Sequence, residues 1–370
     1  MKRVGAAVAL LAVLTVYRPA VRAQTAVQAD QALDQIRLLQ SITPVDQRQL
    51  RDWITAEVST LKSQPASDRP NGFNQAAFNA FRQRFLQQFG NTSNTPAFKT
   101  EFASQTAAAA AVELGGGNLS LTAAAALTRV LMDFGTIETL PALLQALESK
   151  HSVARYLAAA ALAELKGPLS GDAARLNQVV AAIGAAGADE TSAGALRRMY
   201  EALAYHQQVG AVFDAYIAIF DARLTFRRGP AAKIDGAEYP AFDLFADPAV
   251  LGALTQPQKV ELVRRLAVFM RMDAERYNDA AIAPPADPTA PDPGFYEREW
   301  GENQVWLIEE ILEAIVGQGK GGHVRDQFSS GGYANRAQVL QETYRWIGDP
   351  EGNAPGALNG APWDVPVGAP

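Results

Sequence analysis

AAAALTRVL, Ala123–Leu131, is answered 35 residues later by AAAALAEL, Ala158–Leu165. Around the first phrase, Leu127, Val130, Leu131 and Phe134 recur at the spacing of one helical face, and Gly135 supplies a stop. Between the two phrases, TLPALLQAL places Leu140, Leu143, Leu144 and Leu147 on one stripe. Leu176, Val179, Val180 and Ile183 repeat that stripe with a shift of 36, behind Asp172 as a candidate N-cap. Leu196, Met199, Tyr200 and Leu203 then furnish the next inner helix. Long helix, short break, long helix at this spacing is the mark of stacked helix pairs. Each pair has an apolar face it cannot bury alone, so the phrase recurs because the packing problem recurs.

The rest of the chain is also helical in pattern, with almost no alternation of β-branched and polar residues. Thr43-Pro44 predicts a helix start, and Phe78, Phe81, Phe85 and Phe89 share a face that ends at Gly90. Beyond Val209 the period fades: VGAVFDAYIAIFDARLTF reads as a buried helix. RRGPAAKIDGAEYPAFDLFADP reads as an irregular connection with room for a short hairpin. Thr255 caps the next long helix, and a proline-rich loop follows at 283–294. The expected organisation is therefore a cleaved leader at 1–23, an N-terminal helical region at 24–117 and helical repeats at 118–205. A C-terminal helical region at 206–348 and a Gly/Pro-rich tail at 349–370 complete it. The fold class is all-α, as stacked antiparallel helix pairs (an α-solenoid) or else an irregular helical bundle.

Leu140 to Gly167, LPALLQALESKHSVARYLAAAALAELKG, resembles a HEAT repeat. That family pairs an outer Leu-rich helix with an inner helix of the form V-R-x-x-A-A-x-A-L. Here Ala154 stands at the valine place, Arg155 at the arginine place, Ala158 and Ala159 at the small pair, and Leu162 at the leucine. The resemblance is partial over 119–205, where Ser120 and Arg197 depart from the pattern. It implies a curved stack offering a binding surface to another protein or a cell-envelope component, although architecture alone does not imply function.

MKRVGAAVALLAVLTVYRPAVRAQ has the three parts of a secretory signal: Lys2 and Arg3, an apolar run from Val4 to Val16, and Val21 and Ala23 before the expected cleavage at Gln24. The run is too short to span a bilayer, which needs about 20 apolar residues, and no other segment is a candidate. The sequence thus predicts a protein exported to a periplasm or the exterior, with no membrane span in the mature chain. Loss of residues 1–23 removes Lys2, Arg3, Arg18 and Arg22 and no acid, so the formal charge of −6 becomes −10. Such an acidic chain is a poor partner for nucleic acid, whose binding depends on Lys and Arg neutralising phosphates. The absence of cysteine rules out disulfides, thiolate zinc sites and cysteine nucleophiles.

No catalytic, cofactor or metal motif is present. The only histidines, His151, His206 and His323, lack paired-ligand spacing. GKGGH, Gly319–His323, lacks phosphate-loop spacing and follows a helix, so it reads as a helix stop. No G-x-S-x-G elbow occurs, and Asp287 and Asp292 sit in a proline-restricted loop without calcium-loop spacing. The segment with the richest chemistry is FYEREWGENQVWLIEE, Phe295–Glu310. Tyr296, Trp300 and Trp306 interleave with Glu297, Glu299, Glu302, Glu309 and Glu310. Aromatic faces beside carboxylates suit sugar rings, so Tyr296, Glu297, Glu299, Trp300 and Glu302 are candidate ligand-binding residues. They could serve a polysaccharide ligand or a two-carboxylate glycosidase site. The structural alternative buries Trp306 in the core and uses the glutamates to favour the helix start. Trp363 is either an anchor that folds the tail onto the last helices or an exposed partner-binding element.

Overall fold

In the computed structural model, residues 30–65, 72–229, 233–287, 289–351 and 354–366 are described. The expected leader lies outside them. Among the described residues the chain is all-α, with sixteen α-helices from Pro44 onward, a further helical stretch at 30–36 and no strand. None of these helices is long and apolar enough to cross a membrane. Two compact units divide within the helix Ser152–Glu164, one reaching Ala161 and the other starting at Leu162. The division thus falls inside the stretch 118–205 that the sequence reads as one run of repeats.

The first unit holds α1 (Pro44–Lys62), α2 (Gln75–Phe89), α3 (Pro96–Gly115), α4 (Leu121–Phe134), α5 (Leu140–Leu147) and the start of α6 (Ser152–Glu164). The first four begin at local capping signals. Thr43 forms a capping box with Asp46, Thr95 and Ser120 accept from the backbone N–H of the third residue of their helices, and Pro44 and Pro96 occupy first-turn positions. Gly135 ends α4 at φ 60°, a conformation open to glycine without strain. The closest packing is between alternate helices, α2 on α4 and α3 on α5. Trp53, Phe81, Phe85, Phe98, Phe102 and Phe134 form its aromatic core, with Phe81 and Phe85 4.5 Å apart at the ring centroids.

In the second unit, α7 (Lys166–Ser170), α8 (Ala173–Ala188), α9 (Ala193–Leu203), α10 (Val209–Arg227), α11 (Tyr239–Ala246) and α12 (Pro248–Ala253) lead to α13 (Gln256–Tyr277), α14 (Phe295–Val316), α15 (Val324–Gly331) and α16 (Arg336–Ile347). Among the described residues of 227–248 the hairpin allowed for there does not form. Pro240 sits in the first turn of α11, and Asp247 accepts from the Ala249 N–H at 2.8 Å to start α12 behind Pro248. Beyond α10 the alternate packing gives way: α13 is flanked by α10, α14 and α16, and α14 also covers α11 and α15. The tail folds back: Leu358 and Trp363 are buried, the Ala357 and Leu358 N–H groups donate to Arg345 and Trp346 carbonyls at 2.9 Å, and Arg264 Nε donates to the Trp363 carbonyl.

α8 and α10 approach closely because α8 offers glycines. A Cβ on Gly184 would stand 3.1 Å from the Ala215 Cβ, and one on Gly187 only 2.6 Å from Ile219 Cδ1. Gly187→Leu is therefore expected to lower stability by about 1–3 kcal/mol through overpacking, outweighing the helix-propensity gain of about 1 kcal/mol. A thermal melt followed by circular dichroism checks this; an unchanged or higher midpoint would refute it.

Candidate functional site

The segment singled out by its chemistry forms the first half of α14, and one helical turn sorts its residues. At 100° per residue, Tyr296, Glu299, Asn303, Trp306 and Glu310 fall within one narrow arc, and all five are exposed. Tyr296 is 71 % exposed and Trp306 37 %, and Phe295, 51 % exposed, meets Tyr296 edge-on at 5.3 Å. Tyr296 and Trp306 lie ten residues apart, about 15 Å along the axis at 1.5 Å per residue. Arg325 reaches over the Trp306 ring at 5.9 Å. The opposite arc, Gly301, Gln304, Val305, Ile308 and Leu312, is buried.

The five candidate ligand-binding residues are divided by this geometry. Tyr296 and Glu299 share the solvent face. Glu297, two positions from Glu299 and so about 200° around the helix, turns inward. It receives Arg276 Nε at 2.7 Å and Nη2 at 3.2 Å, and the Ile234 N–H at 3.2 Å. Trp300 stands at the edge of the exposed arc, half-buried, with Tyr239 edge-on at 5.7 Å and Arg197 over its ring at 5.2 Å. Gly236 lies flat against the Trp300 indole, where a side chain would overlap it. Glu302 is half-buried toward Tyr277, and its burial raises its carboxyl pKa against the opposing hydrogen bond from that tyrosine. A hydrolytic pair would need two carboxyl groups facing one substrate from opposite sides. Here one of the two neighbouring glutamates is committed to Arg276 and the other faces solvent.

The base of α14 is held by pairs that position the exposed face. Arg298 donates to Asp292 and to the Ile282 carbonyl, tying the proline-rich loop to the helix. Gly294, against which the Ile282 backbone packs, leaves no room for a side chain there. The rings of His151 and His206 have partners, His151 Nε2 3.0 Å from the Leu119 carbonyl and His206 Nδ1 3.2 Å from Asp247, while the backbone N–H of His323 donates to Glu342. Among the described residues no group of three or more His, Asp or Glu is placed to hold a metal ion.

Two buried polar assemblies in this unit escaped the reading of the sequence. In one, Glu309 on α14 accepts from the Val324 and Arg325 N–H groups at 2.7 Å and from Trp346 Nε1 at 3.1 Å. In the other, Arg223 and Arg227 on α10 meet Glu238, Asp235, Asp273 and Gln304. Burial works to raise the Glu238 pKa, but Arg227 and Arg223 overcome it and hold the carboxyl below its usual range. A signal for the second assembly was visible: Arg223 and Arg227 continue the buried stripe Tyr216, Ile219, Phe220 at helical spacing, so each arginine had to find a buried acid.

No protein-family model, no curated protein and no solved structure matches this chain.

Proposed function

We propose that the chain is a non-catalytic, exported helical scaffold of stacked helix pairs that binds a basic partner protein through the solvent face of α14. One observation carries the reading: Phe295, Tyr296 and Trp306 are exposed on a helix whose opposite face is core, and Glu299 and Glu310 lie among them. Single exposed apolar residues are ordinary, whereas several aromatics on one face are what a docking partner desolvates. Tyr and Trp are the residues that most often dominate binding energy, and a carboxylate rim favours a cationic partner. The packing of alternate helices supports the stacked arrangement, and the N-terminal stretch read as a signal supports export.

The test places a photoreactive residue at Asn303, in the centre of the exposed arc, and a control at the exposed Lys99. A discrete protein adduct is expected from Asn303 alone. Loss of the two anchors in Tyr296→Ala/Trp306→Ala should weaken the purified pair by about 30-fold, the effect of about 2 kcal/mol. Equal labelling from both positions, or an affinity untouched by the double variant, would overturn the reading. The second reading, a polysaccharide ligand, draws on Tyr296 beside Glu299. It predicts retardation in polysaccharide-containing gels that Tyr296→Ala abolishes.

A further inference from the structure

Inside the second unit, three carboxylates share two guanidiniums. The side chains of Arg223, Arg227, Glu238 and Asp273 are each 4 % exposed or less, and only Asp235 reaches water, at 27 %. Arg223 Nε donates to Glu238 at 2.6 Å, and its Nη2 chelates Asp235 at 2.9 and 3.0 Å. Arg227 donates to Asp273, to Glu238 at 2.7 Å and to Gln304 at 3.2 Å. The formal count leaves one negative charge in excess in a medium that tolerates none. Of the three acids, Asp273 alone has an oxygen, Oδ2, that is buried and without a hydrogen-bond partner.

The surroundings of Asp273 name what it feels. From α10 come Arg227 in direct contact and Arg223 beyond it; from the segment preceding α11 come Glu238 and Asp235. α14 contributes the neutral Gln304, and its Glu302 faces Tyr277, one turn further along α13. The charges of α13 felt by α16 are Arg271 and Glu275, which act on Tyr344. Tyr200 on α9, whose hydroxyl is buried and unpartnered, borders the same assembly through Glu238, Arg223 and Arg227.

We propose that Asp273 is a neutral acid in the folded chain at mildly acidic pH, so that folding of this unit there takes up a proton and the buried assembly is a pH-sensitive clasp joining α10, α13 and α14. The inference stands apart from the docking reading. Burial is the main influence on Asp273, aided by Glu238 and Asp235 and opposed by Arg227, and it pushes the carboxyl from an ordinary value of 3.8 up to about 7. A carboxyl pKa raised on folding stabilises below its unfolded value and loses that contribution as pH climbs to the folded one. The clasp is therefore tight near pH 4 and weakens progressively until about pH 7. The change in the folding equilibrium is at most roughly a thousandfold over that span.

The test is urea unfolding of the full chain between pH 5 and 8.5, for wild type and Asp273→Asn, which mimics the neutral acid. The wild-type midpoint is expected to fall with pH, and that of Asp273→Asn to fall much less. Infrared spectra of the folded Glu302→Gln protein supply a readout that needs no Asp273 variant. The carbonyl stretch of a protonated carboxylic acid should be present at pH 6 and gone by pH 8.5. Wild-type pH dependence retained in Asp273→Asn, or no such band at pH 6, overturns the proposal.

Discussion

Arg227→Met is expected to unfold the second unit, or to leave it so weak that it melts far below the wild type. The Arg227 guanidinium contacts Asp273, Glu238 and Gln304 and lies 5.3 Å over the Phe269 ring. Its replacement leaves the ionised and fully buried Glu238 with Arg223 and Gln304 alone, and takes from the Asp273 carboxyl its hydrogen-bond donor. Breaking a buried ion pair from one side costs about 3–5 kcal/mol, because the orphaned charge stays inside. That is a large part of the 5–15 kcal/mol, roughly, that holds a typical protein together. Arg227→Met/Asp273→Leu should recover part of the loss, since it removes one stranded carboxyl together with its missing partner. Arg265, whose partner Asp221 is 53 % exposed, provides the contrast: Arg265→Met should cost no more than about 1 kcal/mol. Urea unfolding followed by circular dichroism decides it. An Arg227→Met protein within 1 kcal/mol of wild type would show that the assembly does not hold the unit.

This sensitivity arises where sequence reading was weakest, and the reason is separation along the chain. Thr43, Asp172, Thr255 and Gly135 announce helix ends through contacts within a turn, and each takes that place. The exposed arc of α14 follows from periodicity alone, so Tyr296 and Glu299 could be placed on one face from their spacing. Glu297 was read as a ligand group beside them, yet it is decided by Arg276, 21 residues earlier. Arg223 and Arg227 were visible as charges on an apolar stripe, but their acids lie 11 to 46 residues further on. A pattern of period 3.6 records which way a side chain points. It does not record which distant charge will be there to meet it. The hairpin expectation failed for a related reason. The prolines of EYPAFDLFADP read as breaks, whereas Pro240 and Pro248 sit in first turns, where a missing N–H costs nothing.

Glu309→Leu is expected to detach α15 and α16 from α14. Glu309 is 1 % exposed, and its carboxylate gathers the Val324 and Arg325 N–H groups with the Trp346 indole N–H. The first two are unsatisfied donors of the opening turn of α15, so Glu309 acts as that helix's cap from a neighbouring helix and complements its dipole. GKGGH owes two of its three glycines to the same place: a side chain on Gly321 would overlap the Trp346 ring, and one on Gly322 the Glu342 carbonyl. Leucine fills the volume and answers none of the donors. At about 1–3 kcal/mol for each buried polar group left unpaired, the loss should be roughly 3–5 kcal/mol after local relaxation. Glu309→Gln should fall between, since one amide oxygen can still accept while its NH2 must face a donor. The informative readout is local: Trp346 is fully buried in the native chain. Its fluorescence should become quencher-accessible in Glu309→Leu at urea concentrations that leave the helices of the first unit folded. Protection of Trp346 lost only in the global transition would mean that α15 and α16 are held by apolar packing, with the carboxylate incidental.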